Sequence, residues 1–259
     1  MLALQGLGVL VTRPAHQAAP LCRLFELQGA VTFRFPAIAI HPLADSRQLA
    51  ARLGPMAAFD LIIFASANAV RFGANLLGEQ RDLTLAAIGP ATARALNQAG
   101  YRVTVQTSAG FDTESLLRHP KLASVAGNRV LLVKGRGGRE LLAQELERRG
   151  ATIEEAVVYE RQCPDPGSGA IRALESLFAA GSIQLVTATS ADIARNLATL
   201  ATPDLKRSFE SAHWLVPGER VGRSVQEAGV GRSLVMAASA EDQDLVSAAA
   251  RWRASVSGA

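Results

Sequence analysis

GVLVTRPAHQAAPLCRLFELQGAVTFRFPAI, residues 8–38, is answered 120 residues later by NRVLLVKGRGGRELLAQELERRGATIEEAVVY, residues 128–159. Each reads as an apolar strand, a loop of small, polar and basic residues, an amphipathic helix, a glycine, and a second β-rich run. Two further pairs follow in the same order. FDLIIFASANAVRFGANL at 59–76 resembles IQLVTATSADIARNLATL at 183–200, and LTLAAIGPATARALNQAGYRVTV at 83–105 resembles SAHWLVPGERVGRSVQEAGVGRSLVM at 211–236. One matched pair of strand-helix units arises easily by chance. Three in order indicate a tandem duplication.

The strands expected from short apolar runs are Val9–Val11, Leu61–Phe64, Ala86–Ile88, Val130–Val133, Leu185–Thr187 and Trp214–Val216. Apolar runs without alternation suit strands covered on both faces. In the stretch Arg139–Arg149, Leu142 and Leu146 share a helix face, and Glu145 and Arg149 are spaced to pair. Gly29, Gly100, Gly150 and Gly229 stand where helices should stop, because glycine adopts the left-handed C′ conformation without penalty. Strand and helix alternate throughout, which predicts an α/β fold with parallel, doubly wound sheets and right-handed crossovers. Two proline-flanked stretches, 35–42 and 157–166, occupy equivalent places and read as connectors. The tail beyond Trp252 is expected to fray.

Of the 259 residues, 49% are hydrophobic and 19% charged, which is enough apolar material for a sizeable core. A net charge of +4 is too small to argue for nucleic acid. No apolar stretch approaches the roughly 20 residues of a membrane span, and no basic segment precedes the first apolar run, so a cytoplasmic protein is expected. Cys22 and Cys163 lie far apart, and His16, His41, His119 and His213 have no ligand spacing, so no disulfide, metal site or metal cofactor is expected.

In open parallel sheets, ligands bind beyond the carboxyl ends of the strands. The loops there hold Thr12 and Arg13, Ser66 and Asn68, Gly89 and Thr92, the basic run from Lys134 through Arg136 to Arg139, Ser190, and Gly218 with Arg220. Hydroxyl caps, glycines, helix amino termini and basic side chains together suit carboxylate or phosphate. The basic run lacks Walker spacing, and no G-x-G-x-x-G follows the first strand, which argues against a nucleotide enzyme. Without a paired-carboxylate arrangement, catalysis would rest on holding a reactive substrate in one conformation. A non-catalytic, two-lobed receptor for an anionic metabolite is the alternative reading. Each of these residues also has a plain structural explanation, as a helix cap, a surface charge or, for Tyr159, simple packing.

The order of motifs resembles the uroporphyrinogen-III synthase family. It is carried by VTRP at 11–14, the D-x-I-I-F-x-S-x-N-A-V segment at 60–70, IGPATARAL at 88–96, GFDTESLL at 110–117, the basic loop at 134–139, Val158-Tyr159, and Thr189-Ser190. The resemblance covers nearly the whole chain. It implies two flavodoxin-like domains joined by a two-stranded antiparallel linker: residues 1–35 with 167–259 in one, 43–156 in the other, and 35–42 with 157–166 as the ribbon, with one anion-binding cleft between the lobes. It implies a monomeric cyclising lyase without a cofactor, which closes hydroxymethylbilane to uroporphyrinogen III with loss of water and inversion of ring D. The implied partners are the small-molecule substrate and, in passing, the preceding enzyme of the pathway, with no nucleic acid and no membrane. It assigns Tyr159 to departure of the hydroxyl, and Ser66, Gly89, Thr92 and Ser190 to substrate binding. The sequence departs from relatives at three places. Asn68 stands where some carry arginine, Val216-Pro-Gly-Glu-Arg-Val221 replaces a threonine-bearing loop, and His213 falls on a lysine position.

Overall fold

The computed structural model describes residues 2–43, 46–106, 113–137 and 140–257. Among them are eleven strands: β1 (Gly8–Val11), β2 (Val31–Arg34), β3 (Ala39–Pro42), β4 (Leu61–Phe64), β5 (Leu85–Ala87), β6 (Val105–Gln106), β7 (Arg129–Gly135), β8 (Thr152–Gln162), β9 (Leu185–Thr187), β10 (His213–Pro217) and β11 (Ser233–Ala237). All six expected runs are strands, with ends shifted by a residue or two. Helices follow β1, β4, β5, β7, β9, β10 and β11, as the alternation requires. No described helix is long and apolar enough to cross a membrane.

The chain divides into two compact units. Unit 1 comprises Met1–Ala39 and Gln162–Ala259, and unit 2 is the continuous segment Ile40–Arg161. The sheet of unit 1 has the order β11-β10-β9-β1-β2, and that of unit 2 the order β3-β8-β7-β4-β5-β6. Matched by repeat, β1 and β2 correspond to β7 and β8, β9 to β4, β10 to β5 and β11 to β6. The two orders are then the same, with β3 as an extra edge strand. In unit 1 the pairings of β1 with β2 and β9, and of β10 with β9 and β11, are parallel. In unit 2 so are those of β4 with β5 and β7, β5 with β6, and β7 with β8. Each repeat therefore contributes strands to both sheets.

Burial on both faces explains the unbroken apolar runs. In unit 2, Ile62, Phe64, Leu131 and Val133 enter one core cluster, while Leu61, Ile63, Val130 and Leu132 enter another. In unit 1, Val9, Val11, Leu185, Leu215 and Val235 share a core with Phe25 and Leu245. On β10, Trp214 is fully buried, and its indole N–H donates to the Phe209 carbonyl at 2.9 Å. The four helix-stopping glycines have φ of 87° (Gly29), 85° (Gly100), 88° (Gly150) and 66° (Gly229), the left-handed conformation that suits glycine.

One expectation is extended and one changes. The second connector continues a sheet strand: β8 runs from Thr152 to Gln162 with β3 of the first connector hydrogen-bonded beside it, and Val157 and Tyr159 also pair with β7. The run Thr-Ile-Glu-Glu-Ala-Val-Val-Tyr holds no breaker, and the strand stops only as Pro164 approaches. The tail also does not fray at Trp252. The last helix runs Asp242–Ser257, since Arg253, Ala254 and Val256 can extend it and the Ser255 hydroxyl donates back to the Trp252 carbonyl at 2.7 Å.

Candidate functional site

In unit 2 the chain winds from β4 toward β6 on one side and from β7 toward β8 on the other. The switch point, where a ligand crevice forms in such sheets, lies between β4 and β7. Just past β4, Ser66 caps the helix Ala67–Gly73: its backbone is extended, and its Oγ accepts the Ala69 N–H at 3.0 Å. The same Oγ lies 3.0 Å from the phenol oxygen of Tyr159 on β8. Across from Tyr159, the register between β7 and β8 shifts at Lys134/Gly135, so that Gly135 faces the tyrosine. The Tyr159 ring is 2% exposed and packs 6.0 Å from the Phe72 ring. Arg161, two residues on and therefore on the same strand face, donates from Nη2 to the phenol oxygen at 3.0 Å. The Arg136 N–H donates to the Tyr159 carbonyl at 2.7 Å.

The other unit 2 candidates follow β4 and the neighbouring strands β5 and β7. Asn68 is buried in the first turn after Ser66. Gly89, with φ 81°, starts the helix Pro90–Gln98 after β5. Thr92 is buried, and its hydroxyl donates to the Ile88 carbonyl at 2.8 Å. Lys134 is mostly buried and paired to Glu155 at 2.8 Å, which tethers its charge to β8. Among the described cations of the loop Arg136 is the outward one, 67% exposed, with Glu160 at 3.6 Å. Arg139 lies outside the described residues, as does the start of the 110–117 segment.

Unit 1 repeats the geometry. Ser190 caps the helix Ala191–Leu200 with φ −153° and ψ 159°, against −165° and 163° at Ser66. Gly218 starts the helix Glu219–Glu227 with φ 86° and ψ 168°, against 81° and 162° at Gly89. The duplication is thus conserved at the level of backbone dihedrals. Arg220 lies exposed in the first turn after Gly218. Thr12 is fully buried and its hydroxyl donates to the Thr187 carbonyl, bracing β1 against β9. Arg13 donates to Asp242 and to the Ala240 carbonyl, holding the last helix. His213 is the first residue of β10, at the opposite end of the strand from these loops, with its ring 4.7 Å from Trp252.

The candidates fall into two classes. Thr12, Arg13, Thr92 and Lys134 direct their polar atoms into their own unit. Ser66, Ser190, Arg136, Arg220 and the backbone N–H groups after Gly89 and Gly218 offer hydrogen-bond donors of the kind that suit carboxylates. Among the described residues, no group of His, Cys, Asp and Glu could hold a metal ion. Two residues beside Tyr159 escaped the sequence reading, Arg161 and Gly135. The period-2 spacing of Tyr159 and Arg161 was a usable signal once β8 was read as a strand.

The chain matches the family described as uroporphyrinogen-III synthase HemD over residues 19–247. It is 31% identical over 234 residues to uroporphyrinogen-III synthase of Escherichia coli K12, covering 86% of this chain and 92% of that one. It is also 31% identical over 209 residues to the Synechococcus elongatus enzyme of the same name, covering 77% and 76%. In fold it resembles a mutant uroporphyrinogen III synthase from the extremely thermophilic bacterium Thermus thermophilus, with TM-score 0.62, 19% identity, and 98% and 100% of the two chains covered. The Helicobacter pylori enzyme gives TM-score 0.62 at 16% identity, covering 95% and 99%. The extent of these matches and the donor-rich strand ends agree, and the chain belongs to the uroporphyrinogen-III synthase family.

Proposed function

We propose that this chain closes hydroxymethylbilane to uroporphyrinogen III, inverting ring D and releasing water, as a cyclising lyase of porphyrin and haem biosynthesis. The observation that carries this reading is the hydroxyl pair Ser66–Tyr159 at the β4/β7 switch point, 3.0 Å apart, with the Arg136 backbone bonded to that of Tyr159. The substrate is a linear tetrapyrrole bearing many acetate and propionate carboxylates. Ser190, Arg136, Arg139, Arg220 and the helix starts at Gly89 and Gly218 bind those carboxylates, and Ser66 meets the substrate at its terminal hydroxyl. Thr12, Arg13, Asn68, Thr92 and Lys134 hold the loops in shape.

The chemistry needs few groups. Departure of the terminal hydroxyl as water leaves an azafulvene cation. Ring D attacks through its substituted carbon, and the spirocyclic pyrrolenine fragments and recloses with the ring inverted. Tyr159 assists loss of the hydroxyl, since a phenol carries its proton at neutral pH. The remaining contribution is conformational: the folded tetrapyrrole is kept from the simple end-to-end closure that gives the symmetric isomer. The enzyme acts as a monomer in the cytoplasm and takes its unstable substrate by transient hand-over from the enzyme that makes it.

The test is incubation with freshly made hydroxymethylbilane, followed by oxidation and isomer separation. The type III isomer is expected in excess. Tight binding with only the type I isomer formed would favour the non-catalytic receptor.

A further inference from the structure

We infer that Arg161 is a positioning residue that fixes the direction of a hydrogen-bond chain, Arg161 to Tyr159 to Ser66, so that the Ser66 hydroxyl delivers the proton to the departing hydroxyl of the substrate. This rests on the cyclisation reading above and specifies its proton path.

A guanidinium has only donors, so the phenol oxygen of Tyr159 accepts from Arg161 Nη2 at 3.0 Å. The phenol hydrogen must then find an acceptor. The ring is 2% exposed, so bulk water does not serve, and leaving a buried donor unpaired is costly. Among the described residues the partner in reach is Ser66 Oγ at 3.0 Å. That oxygen already accepts the Ala69 N–H at 3.0 Å. With both acceptor positions filled, Ser66 keeps one function, donation of its own hydrogen. Ser66 is half-buried while Tyr159 is buried, so of the two hydroxyl hydrogens it is that of Ser66 that a ligand can meet. Tyr159 therefore acts without leaving the core.

The step balances as follows. The carbon–oxygen bond of the hydroxymethyl group breaks, and its electron pair leaves with oxygen. That oxygen takes the Ser66 proton and departs as water. Ser66 takes the Tyr159 proton, and the phenolate so formed lies against the Arg161 guanidinium. The positive charge stays on the azafulvene. The proton released when the last pyrrole regains aromaticity returns through Ser66 to Tyr159.

The test uses the full chain with freshly made hydroxymethylbilane and compares Arg161→Met, Arg161→Lys, Tyr159→Phe and the double variant Arg161→Met/Tyr159→Phe. Arg161→Met should lower kcat about tenfold, the scale of one hydrogen bond of ordinary strength, with KM within about twofold of the wild type. Arg161→Lys should regain part of the loss. In the Tyr159→Phe background Arg161→Met should cost nothing further, because Arg161 acts only through the phenol. The inference is overturned if Arg161→Met is fully active, if its loss lies in KM, or if the two losses multiply in the double variant, since the last two results mean direct contact with the substrate. The wild type reports separately on the parent reading. If it yields no excess of type III isomer, cyclisation itself is wrong, whatever the variants do.

Discussion

The β-carbon that Gly135 lacks would stand 2.4 Å from Cζ of Tyr159 and under 3 Å from both Cε atoms. The close approach accompanies the register shift between β7 and β8, where one step from Lys134 to Gly135 is matched by two from Val157 to Tyr159, so that Gly135 is paired with the tyrosine. Gly135→Ala must displace the ring or the strand. Overpacking of this kind costs about 1–3 kcal/mol, which urea denaturation would measure. Turnover should fall further than stability alone explains, because the phenol leaves Ser66. A variant with normal stability and normal type III production would contradict this placement of the ring.

Gly8 and Gly169 make a contrasting pair. A β-carbon on Gly8 would lie 1.6 Å from the Ser182 carbonyl oxygen, a backbone atom that cannot swing aside, whereas one on Gly169 meets nothing within 4 Å. Gly8→Ala should destabilise by about 3 kcal/mol or more. Gly169→Ala, inside the helix Gly167–Ala179, should stabilise by about 0.5–1 kcal/mol. Thermal unfolding of the two variants beside the wild type should show shifts of opposite sign.

Ser66 and Ser190 are equivalent caps, and removing either hydroxyl should cost about 1 kcal/mol of stability. Their effects on turnover should differ, because Ser66 alone of the two is joined to the tyrosine. Ser66→Ala is expected to lower kcat well beyond Ser190→Ala at matched stability. Equal kinetic losses would remove the special role of the unit 2 hydroxyl.

Glu145 gives an acid-side prediction. Hydrogen bonds from Arg148 and Arg149 hold its carboxyl down to about 2, from an ordinary value of 4.5. A folded-state value below the unfolded one means stability that is fully present above about pH 4.5 and lost as pH falls toward 2. Arg149 also donates to the Leu117 and Leu122 carbonyls, each at 2.8 Å, so the cluster ties the helix Leu141–Arg148 to its neighbours. Glu145→Gln should therefore melt below the wild type at neutral pH, and the gap should close between pH 4.5 and 2. A gap independent of pH would show that the carboxylate charge is not what matters.

Local features were legible in the sequence and long-range partners were not. Gly29, Gly100, Gly150 and Gly229 marked helix ends because positive φ is a local requirement that few other residues meet. The Ser66 and Ser190 caps were readable for the same reason. Lys134 read as an outward cation, yet Glu155, 21 residues away on the neighbouring strand, turns it inward. Arg13 read the same way, and its partner Asp242 is 229 residues distant. Tyr159 looked like a linker residue because Pro164 and Pro166 dominate the composition after it. The deciding fact was the unbroken strand before them, which carries the ring into the core.

The order of synthesis delays the pairing of β1 with β9. Val9 has its partner in Leu185, 176 residues later. Unit 2 is one uninterrupted segment, so it can complete its own sheet as it leaves the ribosome. The first apolar strand, which ends fully buried at Val9, Leu10 and Val11, has to wait on the order of ten to thirty seconds at ordinary elongation rates. Until then the apolar β1 edge that faces β9 in the folded sheet has no partner.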